Sequence, residues 1–230
     1  MTRDDVVGNR RTGASSRLPF VIGLTGPIAA GKSTVAELLR QRGAEVIDAD
    51  RVYRFLLAPG SMLWQRLRER FGPTIVGSDG EIDRATLAKI VFSDPKELAD
   101  LDSITHPAVV AEIRDRIART SAPLVVLEAV KLVQSGLISD VDVLWFITAD
   151  PETRLRRLVA RSRIDEAQAR ARIAAAPQAV PEGVRFDATI DTSGDLEATA
   201  SAVDAVFRPL GFGQAQEKHK DLISVEKECS

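Results

Sequence analysis

The chain has 230 residues, of which 44% are hydrophobic and 28% charged. That profile excludes low-complexity and collagen-like chains and fits one sizeable α/β domain with a lid or insertion, not two large independent domains. The net charge of −2 lacks the basic excess of a dedicated nucleic-acid binder, and Cys229, the single cysteine, makes no internal disulfide.

Residues 1–18 are polar and read as an N-terminal tail. The apolar run from Phe20 to Leu24 is too short for an export signal or a membrane span, so a cytoplasmic protein is expected. The same run is a buried-strand candidate. A helix is predicted from about Lys32 to Gln41, stopped at Gly43. Ala44 to Ile47 reads as a second strand, closed by Asp48-Ala49-Asp50.

A helix is predicted next from about Ser61 to Arg70, then turn chemistry between Gly77 and Gly80. Residues 83–119 read as several helices, with Asp83 and Asp94 as caps. Leu98 and Leu101 share one helical face, and Val109, Ile113 and Ile117 share a face in the next segment. Leu124 to Leu127 and Val141 to Ile147 are the third and fourth strands. Pro151 begins an arginine-rich helical stretch, interrupted near Ser162 and ended at Pro177. Ala188 to Ile190 is a short fifth strand, and Leu196 to Phe207 a closing helix. Trp64 and Trp145 read as packing residues, and residues 213–230 as a flexible C-terminal tail. Short apolar strands separated by helices predict an α/β fold with a five-stranded parallel sheet. Ligands in such folds sit beyond the carboxyl ends of the strands.

Gly26-Pro-Ile-Ala-Ala-Gly31-Lys32-Ser33 fits G-x-x-x-x-G-K-[ST] between a strand and a helix. The glycines let the backbone bend around phosphate oxygens, and the backbone N–H groups and helix N-terminus offer a positive field. Gly26, Ala29, Ala30, Gly31, Lys32, Ser33 and Thr34 are therefore candidate ATP-binding residues. Lys32 supplies a charge for the terminal phosphates, and Ser33 a hydroxyl for Mg²⁺. Pro27 lacks an N–H and removes one donor from the loop.

Asp48 and Asp50 lie two positions apart after the second strand. If the chain stays extended there, both face one side. A carboxylate near the terminal phosphate accepts the proton of an attacking hydroxyl or orients metal-bound water, which makes Asp48 a candidate metal ligand beside Ser33. The alternative is a helix N-cap with a solvated neighbour. Between Pro151 and Pro177 arginines stand at 154, 156, 157, 161, 163, 170 and 172. Arg154, Arg157 and Arg161 line up on one helical face. Most of these arginines read as an ordinary solvated face, with one or two reaching the polyphosphate from a lid.

Taken in order, these features resemble the dephospho-CoA kinase family, from about Val21 to Phe207. The resemblance rests on Gly23-Leu-Thr-Gly26 and the phosphate loop, Val46-Ile-Asp-Ala-Asp50, Arg54, Pro59-Gly60, Phe71-Gly72, Gly80-Glu-Ile-Asp-Arg84, Leu87-Ala88, Val91-Phe92 and His106-Pro107-Ala-Val109. It implies a P-loop kinase core over residues 19–212, with a helical CoA-binding region at about 60–120 and a lid at about 151–180. It implies phosphorylation of the ribose 3′-hydroxyl of dephospho-CoA by ATP with Mg²⁺, giving coenzyme A and ADP. Asp50 matches the family's general base, Ala29 to Thr34 its ATP-phosphate segment, and Arg161 a lid arginine. The implied partner is the small-molecule substrate, without nucleic acid or membrane, in a monomer or weak homo-oligomer.

The chain departs from the family pattern at several places. Val130-Lys-Leu-Val-Gln134 replaces the usual Pro-Leu-Leu-Phe-Glu, with Glu128 and Lys131 supplying charge nearby. Arg154 stands for a glutamine, Thr192 for a late asparagine, and Pro27 and Ala29 for glycines. A glutamine usual near Ala176 is absent, with Gln178 close by. Two other readings therefore stand beside the first: a nucleoside or nucleotide kinase on the same fold, and a nucleotide-binding relative with weakened catalysis.

Overall fold

The computed structural model describes residues 18–130, 132–175 and 183–212. The chain folds as two compact units. One takes the residues up to Val46 and those from Ser121 onward, and the other is Ile47–Thr120. The tails expected at 1–18 and 213–230, and the positions Lys131 and Gln178, lie outside the described residues, except for exposed Leu18.

The first unit is built on a sheet of β1 (Phe20–Thr25), β2 (Glu45–Asp48), β3 (Leu124–Glu128), β4 (Val143–Thr148) and β5 (Ala188–Asp191). The strand order is β2-β3-β1-β4-β5, and the sheet is parallel. Strand β1 lies in the middle, with Phe20 opposite Leu124 on one side and Ile22 opposite Val143 on the other. Strands buried on both faces need near-continuous apolar sequence, and β1 and β3 have it. Helix α1 (Lys32–Gln41) buries Val35, Ala36, Leu38 and Leu39, and Gly43 ends it in the left-handed region. The core joins these residues to Ile22, Leu24, Trp145, Ile190, Val203 and Phe207.

Helices α2 (Ala49–Leu56), α3 (Met62–Phe71), α4 (Arg84–Ser93) and α5 (Pro95–Arg119) form the second unit. Their ends are written in the sequence. Asp48, Ser61, Asp83 and Asp94 each accept backbone N–H bonds at a helix start. Leu63, Leu67, Phe71, Ile75, Leu87 and Val91 form its core. Trp64 packs against that core and donates its indole N–H to the Gly80 carbonyl at 3.0 Å. Arg70 holds Asp100 and Glu97, at 2.5 and 2.9 Å.

Of the two readings left open after the second strand, the structure takes the helix cap. The chain does not stay extended through Asp48-Ala49-Asp50, because Asp48 caps α2 and Asp50 sits in its first turn. The cap satisfies N–H groups that an extended chain would leave to solvent. Residues 83–119 hold two helices, α4 and α5, and the Leu98 and Val109 segments expected as separate are one continuous helix, although Pro107 lies between them. Proline removes one N–H and crowds the preceding turn. Burial of Thr105, Ile113 and Ile117 on both sides of it carries the helix through.

After β4 come α6 (Pro151–Ser162), α7 (Glu166–Ala175) and, beyond β5, α8 (Leu196–Phe207). Arg163 takes a left-handed conformation between α6 and α7, at the interruption expected near Ser162.

Candidate functional site

The turn between β1 and α1 is shaped by steric necessity. Gly26 has φ 147°, and a Cβ there would lie 2.0 Å from the Ile147 carbonyl oxygen. Gly31, the N-cap of α1, has φ 86°. A Cβ at Gly31 would meet Thr192 Oγ1 at 2.8 Å and Arg157 Nη1 at 3.3 Å. Both glycines of the motif are thus required by this backbone. No side chain caps α1, and a helix start without such a cap is suited to stabilising an anion.

The ammonium of Lys32 is buried and donates to the Gly26 and Pro27 carbonyls, each at 2.9 Å. It spans the loop from inside. Ser33 is exposed, and its hydroxyl donates to Glu128 Oε1 at 2.8 Å. This hydroxyl and carboxylate form an all-oxygen pair. Hard Mg²⁺ takes such a set with one or two carboxylates, substrate phosphates and water. Glu128 ends β3, the strand beside β1. A carboxylate at the carboxyl end of a neighbouring strand was the available signal for its role beside Ser33.

The arginine-rich helix divides its side chains between the loop and solvent. Arg154 Nε donates to the Ile28 carbonyl at 3.0 Å. Burial pushes the Arg154 guanidinium down from its ordinary value. Arg157 donates to Thr192 twice, to Oγ1 at 2.8 Å and to the carbonyl at 2.6 Å. Thr192 is buried, and its hydroxyl donates in turn to the Ala30 carbonyl at 2.8 Å. Arg161, on the last turn of α6, is exposed. Arg154, Arg157 and Arg161 share one face of α6 as expected, and on that face Arg154 and Arg157 are drawn to carbonyls whereas Arg161 is exposed.

The start of α6 is anchored by Asp150, whose carboxylate accepts from the Thr153 N–H at 2.8 Å. Hydrogen bonds from Thr153 hold that carboxyl down at about 2. Ser193 does the same for Asp191, whose carboxyl is held below its usual range.

Asp48 and Asp50 belong to the helical unit. Asp48 Oδ1 accepts from the N–H groups of Asp50 at 2.8 Å and of Arg51 at 3.2 Å. The side chain of Asp50 is exposed. Among the described residues, no group of three or more His, Cys, Asp or Glu is arranged to hold a metal by itself. No helix among them is long and apolar enough to cross a membrane.

Comparison with known proteins gives one consistent family. A family model described as dephospho-CoA kinase matches residues 20–197. A dephospho-CoA kinase of Symbiobacterium thermophilum is 42% identical over 200 residues, covering 86% of this chain and 84% of that protein. One from Moorella thermoacetica is 40% identical over 195 residues, covering 83% and 92%. A solved Thermus thermophilus structure superposes with a TM-score of 0.71 at 34% identity, covering 84% of this chain and 99% of that one. The Campylobacter jejuni dephospho-CoA kinase, at 22% identity and a TM-score of 0.59, shares the fold over 83% of this chain and 96% of its own.

Proposed function

The chain belongs to the dephospho-CoA kinase family, and we propose that Lys32, Asp50 and Arg161 carry its chemistry. The enzyme phosphorylates dephospho-CoA at the expense of ATP, in the biosynthesis of coenzyme A. One observation carries this reading: the family match runs unbroken across the phosphate loop and both units.

The acceptor is the ribose 3′-hydroxyl. Asp50 takes the proton of that hydroxyl as it attacks the terminal phosphorus of ATP. Lys32 leaves the Gly26 and Pro27 carbonyls to donate to the β- and γ-phosphates. Arg161, exposed on α6, offsets charge on the equatorial oxygens during transfer. Backbone N–H groups of Ala29 to Thr34 and the uncapped start of α1 bind the phosphates. Ser33 and Glu128 would hold Mg²⁺, with Asp48 as a further carboxylate candidate. Bound Mg²⁺ neutralises phosphate charge and aligns the terminal group. Catalysis of this kind is mainly positioning and electrostatics.

Residues of about 60–120 form the CoA-binding region in this reading, and about 151–180 the lid. The protein works in the cytoplasm, as a monomer or weak homo-oligomer, on a small-molecule substrate without nucleic acid or membrane.

ADP release from Mg-ATP and dephospho-CoA tests the function, with Lys32→Ala as control. Release that requires dephospho-CoA and disappears in the control is expected. Preference for a nucleoside monophosphate would assign a different acceptor. ATP binding without ADP release across all acceptors would make the chain a silent relative.

A further inference from the structure

Ala29 has φ 61°, in the left-handed region that a residue with a Cβ seldom occupies. It stands in the middle of the phosphate loop, between two carbonyls that are both held from outside the loop. The Ile28 carbonyl before it accepts from Arg154 Nε at 3.0 Å. The Ala30 carbonyl after it accepts from Thr192 Oγ1 at 2.8 Å. Arg157 fixes Thr192 with two bonds of its own. Within the loop, the Ala30 N–H adds a long 3.3 Å bond to the Pro27 carbonyl.

We propose that Arg154, Arg157 and Thr192 are positioning residues that hold Ala29 left-handed and so set the phosphate loop in its binding shape before nucleotide arrives. The Ile28 carbonyl lies in the peptide plane before Ala29 and the Ala30 carbonyl in the plane after Ala30, so the two bonds bracket the Ala29-Ala30 pair. With the plane between the two residues held by the Ala30 N–H bond to the Pro27 carbonyl, fixing the outer planes restricts the φ and ψ angles of both residues. A strained residue persists when its surroundings over-determine it, and two independent donors do so here. A hydroxyl is needed at position 192 because it must accept from Arg157 and donate to Ala30 at once. A methyl in its place leaves the Ala30 carbonyl and the Arg157 guanidinium without those bonds. Ala29 then relaxes towards negative φ and turns neighbouring N–H groups away from the phosphates.

The inference rests on the nucleotide-binding half of the proposed function and not on the acceptor. Its test is therefore direct titration of ATP with Mg²⁺, without dephospho-CoA. Thr192→Val is expected to raise the ATP Kd about tenfold, the scale that losing a buried hydrogen-bond partner produces. Adding Ala29→Gly to that variant is expected to restore the Kd to within about twofold, because glycine adopts the left-handed region without a Cβ penalty. Thr192→Ser keeps the hydroxyl and is expected to keep tight binding.

A purely packing role would lower the melting temperature of Thr192→Val, leave its Kd alone and give Ala29→Gly nothing to rescue. An unchanged Kd, or a raised Kd that Ala29→Gly fails to lower, would overturn the proposal. Should Thr192→Val fail to fold, Arg154→Met decides from the Ile28 side. Its Kd should rise about threefold and fall again with Ala29→Gly, and absence of that pattern would equally overturn it.

Discussion

The two units solve the same problem, how to hold polar groups in place, by opposite means. In the helical unit the binding partners are mostly close in sequence. Asp48 holds Asp50 and Arg51, Asp83 holds Ala85 and Thr86, and Asp94 holds Lys96. In the sheet unit the decisive bonds cross the chain. Ser33 meets Glu128, Ile28 meets Arg154, and Ala30 meets Thr192. Local caps start helices wherever the chain places them. Long-range bonds form only when the whole sheet is assembled, so they couple the loop to the integrity of the fold. The nucleotide site is built from the second kind, and the base candidate Asp50 stands among the first.

Replacing Asp50 probes that contrast most severely. Asp50→Asn should lower kcat about 10²–10⁴-fold, the scale of general base catalysis, while sparing ATP affinity. Steady-state rates and ATP titration check it, and near-normal turnover would remove Asp50 as the base. Core truncation comes next. Trp145→Ala in the sheet unit should cost about 3–5 kcal/mol, and Leu67→Ala in the helical unit about 2–5 kcal/mol. Denaturant unfolding reads both losses. Weaker ATP binding from Trp145→Ala, but not from Leu67→Ala, would sharpen the distinction between long-range and local support. Equal loss from both would break it.

A smaller effect is expected at Glu128. Glu128→Gln should raise the Mg²⁺ concentration for half-maximal ADP release about tenfold, since one charged oxygen donor is lost. An unchanged Mg²⁺ dependence would leave the Ser33 contact as structural only. The smallest effect concerns acid. The folded Asp150 carboxyl titrates at about 2, below its unfolded value near ~3.9. The contribution of its cap is therefore complete above about pH 4 and is lost as pH falls towards about 2. Asp150→Asn keeps a capping side chain without the titration, so its acid-unfolding curve should be flatter over that window.

Legibility in the sequence divides along the same line. The phosphate loop announces itself, because Gly26, Gly31, Lys32 and Ser33 have a fixed spacing with a mechanical cause. The caps at Asp83 and Asp94 were readable because capping is local. At Asp48 the strand and cap readings stand side by side, because strand and cap residues share the same β-region backbone. The residues after Asp48 decide between strand and cap, and there Val52, Leu56 and Leu57 carry a helical period. The Leu98 and Val109 segments read as successive helices, and tertiary burial joins them into one. The brace on Ala29 was not legible at all. Thr192 showed only as a departure from a family pattern, and nothing local connects it to Ala30.

Strand β1 is made about a hundred residues before its pairing partners, which begin at Leu124 and Val143. At about 5–20 residues per second, the ribosome leaves Phe20–Thr25 unpaired for roughly 5–20 s before β3 is even complete. During that interval the helical residues Ile47–Thr120, rich in local contacts, have everything they need to fold. The apolar strand that will become the centre of the sheet must wait in the open, an edge without neighbours. The nascent chain is thus most exposed to aggregation when its helices are already formed, and it becomes able to grip a nucleotide only after Thr192 has left the ribosome.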